Sequence, residues 1–287
     1  MANEHINWYP GHMKKTRELI QENLKLVNAA VEILDARIPV SSRNPVIDEL
    51  IKNKRRIIIL NKSDLSDQSA NEAWTRYFKS QGAETVCMNA LTGAGISDLF
   101  KVMNRMKDEI NRESVRKKPL RAMIVGIPNV GKSSLINRLA GKKSAKTGNK
   151  PGVTRGKQWI NLQDQIQLLD TPGILWPKFE DKDTALKLSF VGSIKDEVLD
   201  REDLTIELIR FLKNSYPELL VKRYNLDSTE GEPLEIMEAI CEKRGFIMSG
   251  KRYDYARAAR TVIDEFRSGK MGRITLEIPG KDVESND

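Results

Sequence analysis

The chain has 287 residues, 39% hydrophobic and 31% charged, a balance that fits a soluble globular protein of one large domain or two ordinary ones. No apolar run approaches the roughly 20 residues that span a bilayer, and two cysteines, Cys87 and Cys241, exclude a disulfide framework and suit a reducing compartment. The net charge of +8 is uneven: residues 1–183 hold 31 basic against 20 acidic side chains, and residues 184–287 hold 17 against 20.

In chain order, the opening MANEHINWYPGHMKK has no apolar core of signal-peptide length, which predicts a cytoplasmic chain. Strands are expected at 29–36, 55–60, 84–90, 121–126, 157–162 and 165–170, with helical patterns at 44–53, 69–81, 96–113 and 132–140. Strands alternating with helices at this spacing predict an α/β domain, a mostly parallel sheet with helices on both faces. The Pro-broken stretch SVRKKPLR, 114–121, is a connector inside that pattern. After about residue 183 the strand signals nearly stop; 202–215, 232–243 and 253–269 carry helical periodicity, RITLEI at 273–278 suggests an extended edge, and GKDVESND a loose end. The expected division is an α/β domain at 1–177 followed by a smaller, mainly helical domain at 184–287.

Five short motifs carry chemistry. NKSD at 61–64 closes an apolar strand, as the guanine-reading motif of GTPases does. The Asp64 carboxylate is suited to accept from guanine N1–H and the 2-amino group; adenine offers neither donor, and sites built this way discriminate by about 10⁴ or more. Asn61 is expected to brace neighbouring loops, the Lys62 stem to cover the ring, and in Asn89-Ala90-Leu91 the Ala90 N–H to meet the 6-oxo group. GIPNVGKS at 126–133 follows a strand and opens a helix, so the N–H groups of Asn129, Val130, Gly131, Lys132, Ser133 and Ser134 are placed to cradle phosphates. Lys132 is expected to reach the β/γ oxygens and Ser133 to bind Mg²⁺. Thr154, in NKPGVTRG, is a second Mg²⁺ ligand from a loop; in DTPG, Asp170 is the Mg²⁺ anchor at a strand end and Gly173 offers its N–H to the γ-phosphate. NKSD and the missing second-substrate signature argue against a P-loop kinase or ATPase.

The order is base motif, phosphate loop, magnesium loop, DTPG, whereas most GTPases place the phosphate loop first. Joining the usual end to the usual start and reopening after DTPG gives this order, a circularly permuted P-loop GTPase domain. Beyond it, Ala259, Val262, Ile263 and Phe266 make a core stripe and Arg257, Arg260 and Arg267 fall on the other face. Residues 243–273 hold nine basic and three acidic side chains. Charge leaves two readings open for the arginines, a solvated helix face or an RNA contact.

With WYPGHMKK, DARIP, SRNP, NKSD, GIPNVGKS, NKPGVTRG and DTPGILWPKF in view, the chain resembles the ribosome biogenesis GTPase A family of bacterial circularly permuted GTPases, over most of its length. The resemblance implies GTP and GDP binding, association with a late precursor of the large ribosomal subunit and its rRNA, hydrolysis that times release, and no membrane or DNA partner. It makes the helical domain the expected rRNA contact. Ile174 stands where many Ras relatives carry the water-orienting glutamine, and the resemblance gives that task to His12 of the PGHM motif. Asn129 resembles the asparagine that helps hold K⁺ in potassium-activated GTPases. The competing readings are a GTP-gated RNA-binding module with incidental hydrolysis and a tRNA-related GTPase.

Overall fold

The computed structural model describes residues 10–112, 115–141, 158–171, 181–194 and 200–280, with side chains from Arg17 onward in the first helix and from Trp159 in the fifth strand. The chain divides into two compact units, Met1–Phe179 with Glu277–Asp287, and Glu180–Leu276. The second unit thus ends before the chain does, earlier than the expected 184–287 domain.

The first unit runs α1 (Pro10–Leu24), β1 (Ala29–Asp35), α2 (Pro45–Ile51), β2 (Arg55–Asn61), α3 (Gln68–Ser80), β3 (Glu84–Met88), α4 (Ile96–Asn111), β4 (Leu120–Val125), α5 (Lys132–Ala140), β5 (Gln158–Asn161) and β6 (Ile166–Asp170). The strands form one sheet ordered β3-β2-β1-β4-β6-β5, parallel except at β5. Every residue of β1 is buried, as parallel strands covered on both faces require. On one face, Ala30, Met123 and Leu169 pack with Ile20 and Leu24 of α1 and Ile47 and Ile51 of α2, while Leu34, Ile58 and Leu60 pack with Trp74 and Phe78 of α3. Alternate residues such as Ile33, Ile59 and Ile124 point to the other face, against which α4 lies with Leu99, Met103 and Met106 buried.

Local signals start these helices. Asn44 accepts from Val46 N–H ahead of Pro45, and Asp67 accepts from Ser69 and Ala70, so first-turn donors that no helical carbonyl reaches are satisfied. The connector between α4 and β4 is clamped by Asn111, whose amide donates to Lys118 O at 2.9 Å and whose Oδ1 accepts from Lys118 N at 2.7 Å.

The second unit holds α6 (Lys182–Phe190), α7 (Arg201–Ser215), α8 (Pro217–Tyr224), α9 (Pro233–Arg244) and α10 (Tyr255–Arg267). α7, α9 and α10 pack on one another, and Leu204, Leu208 and Leu212 of α7, Ile236 and Ile240 of α9 and the stripe Ala259, Val262, Ile263 and Phe266 of α10 are all buried. The periodicity reading omitted α1, α6 and α8. The expected edge at 273–278 forms no strand. Its backbone groups pair with side chains: Thr275 N–H donates to the Tyr216 hydroxyl at 3.1 Å, which donates back to Thr275 O at 3.1 Å. Glu277, in the first unit, is buried there; its carboxylate accepts from Val40 N–H at 2.6 Å and Ser41 N–H at 3.0 Å, and its carbonyl accepts from the Trp74 indole at 2.9 Å.

Candidate functional site

The sheet runs outward in opposite directions from the β1–β4 pair, so the crevice beyond their carboxyl ends is the topological switch point where open α/β sheets bind ligands. Parallel register brings Asp35 beside Asn61, and Ile124 beside Asp170, at this edge. NKSD, the phosphate loop and Asp170 therefore converge although they lie far apart in sequence.

Asn61 joins two of them. It is 3% exposed; its Nδ2 donates to Val130 O at 2.7 Å and its Oδ1 accepts from Ala90 N–H at 2.9 Å. Gly131 is needed twice over: it has φ +99°, and a Cβ there would lie 2.2 Å from Asn61 Nδ2. From Gly131 the chain enters α5, whose first-turn N–H groups and positive dipole end face this edge. Ser133 is exposed and Ser134 half-buried in that turn.

Lys62, at φ +59°, donates to Asp35 Oδ2 at 2.8 Å and to Asn129 O at 2.9 Å. Asp35 is fully buried and also takes Arg37 Nε at 2.9 Å and Nη2 at 2.8 Å. Burial pushes the Asp35 carboxyl up, but the Arg37 and Lys62 charges outweigh it and hold it well below the usual carboxylate range. One anion and two cations leave a net positive group under the phosphate loop. Asp35 and Arg37 went unassigned in the motif reading; the available signal was a carboxylate at the last position of a mostly apolar strand, with an arginine two residues on.

Lys132 Nζ lies 3.7 Å from Asp170 Oδ1, both side chains being mostly buried. Burial lowers the Lys132 pKa and raises that of Asp170, each opposed by the other's charge. Asp170 Oδ1 is buried with no hydrogen-bond partner among the described residues. The Thr171 hydroxyl donates to Ile124 O at 2.5 Å and fixes the end of β6. A carboxylate oxygen left in this condition, with the Ser133 hydroxyl on the facing helix turn, fits Mg²⁺. No group of three or more His, Cys, Asp or Glu suited to a metal occurs among the described residues.

On the base side the NKSD turn is pinned by Ser63 N–H to Met88 O at 3.1 Å and Asn71 Nδ2 to Ser63 O at 3.1 Å, leaving Asp64 exposed. Two of the residues expected to meet the base already have partners within the protein. The Ala90 N–H is already donated to Asn61 Oδ1, so a guanine oxygen has to share that hydrogen or take it over. The Asn89 side chain shapes its own loop, Oδ1 accepting from Leu91 N at 2.8 Å and Thr92 N at 3.0 Å.

His12 falls in the first turn of α1, and its side chain lies outside the described residues, as do Thr154, Gly173 and Ile174. In the helical unit the three arginines differ. Arg260 is exposed, and exposed Arg257 places its guanidinium 4.7 Å from the Phe246 ring centroid. Arg267 is half-buried and donates to Phe190 O at 2.9 Å and Ser189 O at 2.7 Å, capping the end of α6. The last turn of α6 thus engages the guanidinium that was expected on an RNA face.

A family model described as 50S ribosome-binding GTPase matches residues 121–236. The chain is 45% identical to ribosome biogenesis GTPase A of Bacillus cereus over 97% of each chain. It is 33% identical to that of Thermotoga maritima, covering 96% of this chain and 95% of the relative. Mitochondrial ribosome-associated GTPase 1 of Mus musculus is 32% identical over 94% of this chain and 89% of its own. Among solved structures, GNP-bound YlqF from T. maritima aligns with a TM-score of 0.62 at 30% identity, over 93% of this chain and 99% of the other. GDP-bound TM YlqF aligns with a TM-score of 0.64 at 29% identity, over 91% and 99%.

Proposed function

The chain belongs to the ribosome biogenesis GTPase A family, a GTPase that takes part in ribosome biogenesis, and from that premise we propose that its substrate-bound form acts on a late precursor of the large ribosomal subunit. The observation that carries the nucleotide half of this reading is Asn61, one buried side chain bonded at once to the phosphate loop and to the Ala90 loop. Base recognition and phosphate recognition are thereby held in one geometry.

In this reading Asp64 reads guanine N1–H and the 2-amino group. The Lys62 ammonium, fixed at one end by Asp35 and the Asn129 carbonyl, lays its stem along the ring. The N–H groups of 129–134 hold the β-phosphate, and Lys132 exchanges its long contact with Asp170 for phosphate oxygens, removing the cost of a buried ammonium. Ser133, Asp170 and Thr154 would hold Mg²⁺, which when bound offsets charge developing on the phosphates. Gly173 N–H would sense the γ-phosphate. Asn129 is the residue assigned to K⁺. His12 is assigned to the attacking water by resemblance alone, and ribosomal precursor binding would be what brings it there.

No helix among the described residues is long and apolar enough to cross a membrane. We place the chain in the cytoplasm, with rRNA as the contact of the helical unit. Co-sedimentation with separated ribosomal subunits tests this: retention on the large subunit with a non-hydrolysable GTP analogue and release with GDP is expected. Equal retention in both nucleotides turns the reading into an RNA-binding module with incidental hydrolysis, and retention on neither subunit ends it.

A further inference from the structure

Between α9 and α10 the chain makes a short hairpin. Met248 N–H donates to Arg252 O at 2.7 Å, Asp254 N–H donates to Phe246 O at 2.8 Å, and Ile247 pairs with Tyr253 across it. Its base is fixed on both sides. Gly245, left-handed at φ +65°, ends α9, and Asp254 caps α10 through Arg257 N–H at 2.9 Å. The Arg257 guanidinium lies on the Phe246 ring.

This hairpin has the wrong composition for an idle turn. Ile247 and Met248 are 45% and 48% exposed, and they are the only sequence neighbours among the exposed large apolar residues described. Gly250 and Lys251 both have positive φ, +81° and +59°. Glycine or asparagine is the unstrained choice at the second of these, yet a lysine stands there. Lys251 and Arg252 are exposed and enter no ion pair among the described residues, whereas Lys243 is held by Asp227 and Arg244 by Glu265. Residues 243–253 contain no acidic side chain.

We propose that the hairpin 246–253 is an RNA wedge: Ile247 and Met248 enter against an unstacked base or the shallow minor groove, while Lys251, Arg252 and Arg257 hold the flanking phosphates. The chemistry on both sides of the contact selects this partner. Two apolar side chains flanked by uncompensated cations match a polyanion that carries apolar base faces. A membrane surface is a poorer match, since two side chains offer little insertion area. An acidic protein groove offers the cations a match but is expected to present an apolar pocket of its own. The proposal rests on the rRNA reading of the helical unit and narrows it to a loop outside the α10 arginine stripe.

The test is retention of the full-length chain on large-subunit particles across a salt series. Ile247→Ser with Met248→Ser is expected to weaken binding about ten- to a hundred-fold at every salt concentration and leave the slope unchanged, because stacking releases no counterions. Lys251→Gln with Arg252→Gln is expected to make the log–log slope shallower by roughly 1.5. Ile247→Leu with Met248→Leu should bind nearly as wild type. Basal GTP turnover and the melting curve of each variant should match wild type, since the altered side chains are exposed. Serine variants that bind as wild type overturn the wedge alone. A loss of binding that deproteinised large-subunit rRNA does not reproduce by competition points to a ribosomal protein and overturns it too. A wild-type chain that binds no subunit removes the wedge together with the functional reading beneath it.

Discussion

The nucleotide edge and the helical unit use charge in opposite ways. At the edge, charges are buried and committed: Asp35 carries Arg37 and Lys62, and Lys132 faces Asp170. In the helical unit the charges that could meet a partner, Lys251, Arg252, Arg257 and Arg260, are exposed, while Arg267, half-buried on the end of α6, serves the fold. A buried charge loses its water and must be matched by the protein or by a ligand, so its surroundings reveal its task. An exposed charge keeps its water, and structure alone gives it little energetic role. Substitutions at the edge should therefore produce large, specific effects, and those on the helical surface small, salt-dependent ones.

The sharpest case is Asp64→Asn. Guanine loses one of its two acceptors and meets an amide donor in its place, so GTP affinity should fall by about 10⁴-fold while xanthosine triphosphate, whose 2-oxo group meets the new amide, gains. Competition between the two nucleotides checks this; an unchanged preference for GTP takes Asp64 out of the site.

Next is Asp35→Ala, which leaves the Arg37 guanidinium buried without its carboxylate and frees Lys62. A stability loss of about 3–5 kcal/mol is expected in denaturant unfolding. The sign with pH follows from the depressed folded-state pKa: the contribution is full above the ordinary carboxylate range and is lost as pH falls through and below it. Wild type and variant should thus differ at neutral pH and converge in strong acid. A variant as stable as wild type at pH 7 breaks the contrast between the two regions.

Arg267→Ala removes charge-assisted bonds to two α6 carbonyls and should cost about 1.5–3 kcal/mol, without altering the salt dependence of subunit binding. Arg257→Ala is the converse. It gives up a cation–π contact at an exposed site, about 0.5–1 kcal/mol, and should flatten the log–log salt slope by roughly 0.7–0.9. If Arg267 moved the slope and Arg257 the stability, the assignment of the two would be reversed.

How far the sequence was legible follows the same division. The sheet strands were readable because their apolar runs end at Asn61, Gly126 and Asp170, where chemistry begins. The motif order showed the circular permutation, but the strand order, with β4 beside β1, came only from the structure. In the helical unit the stripe Ala259, Val262, Ile263, Phe266 was readable, since periodicity reports burial. Arg267 was not, because a one-dimensional pattern places it with Arg257 and Arg260 and cannot report that α6 ends beside it. RITLEI reads as a strand by alternation, but Tyr216 takes the pairing that a neighbouring strand would have made. Asp35 was missed for a related reason: it reads as the polar end of a strand until Lys62 arrives from 27 positions away.

The central claim is that the nucleotide edge does its chemistry for the ribosomal precursor. Single-turnover GTP hydrolysis, measured with and without purified large-subunit particles at fixed salt, tests it most directly. The account predicts slow hydrolysis by the chain alone and a marked rise with large subunits, absent with small ones; the same rate in all three conditions would contradict it.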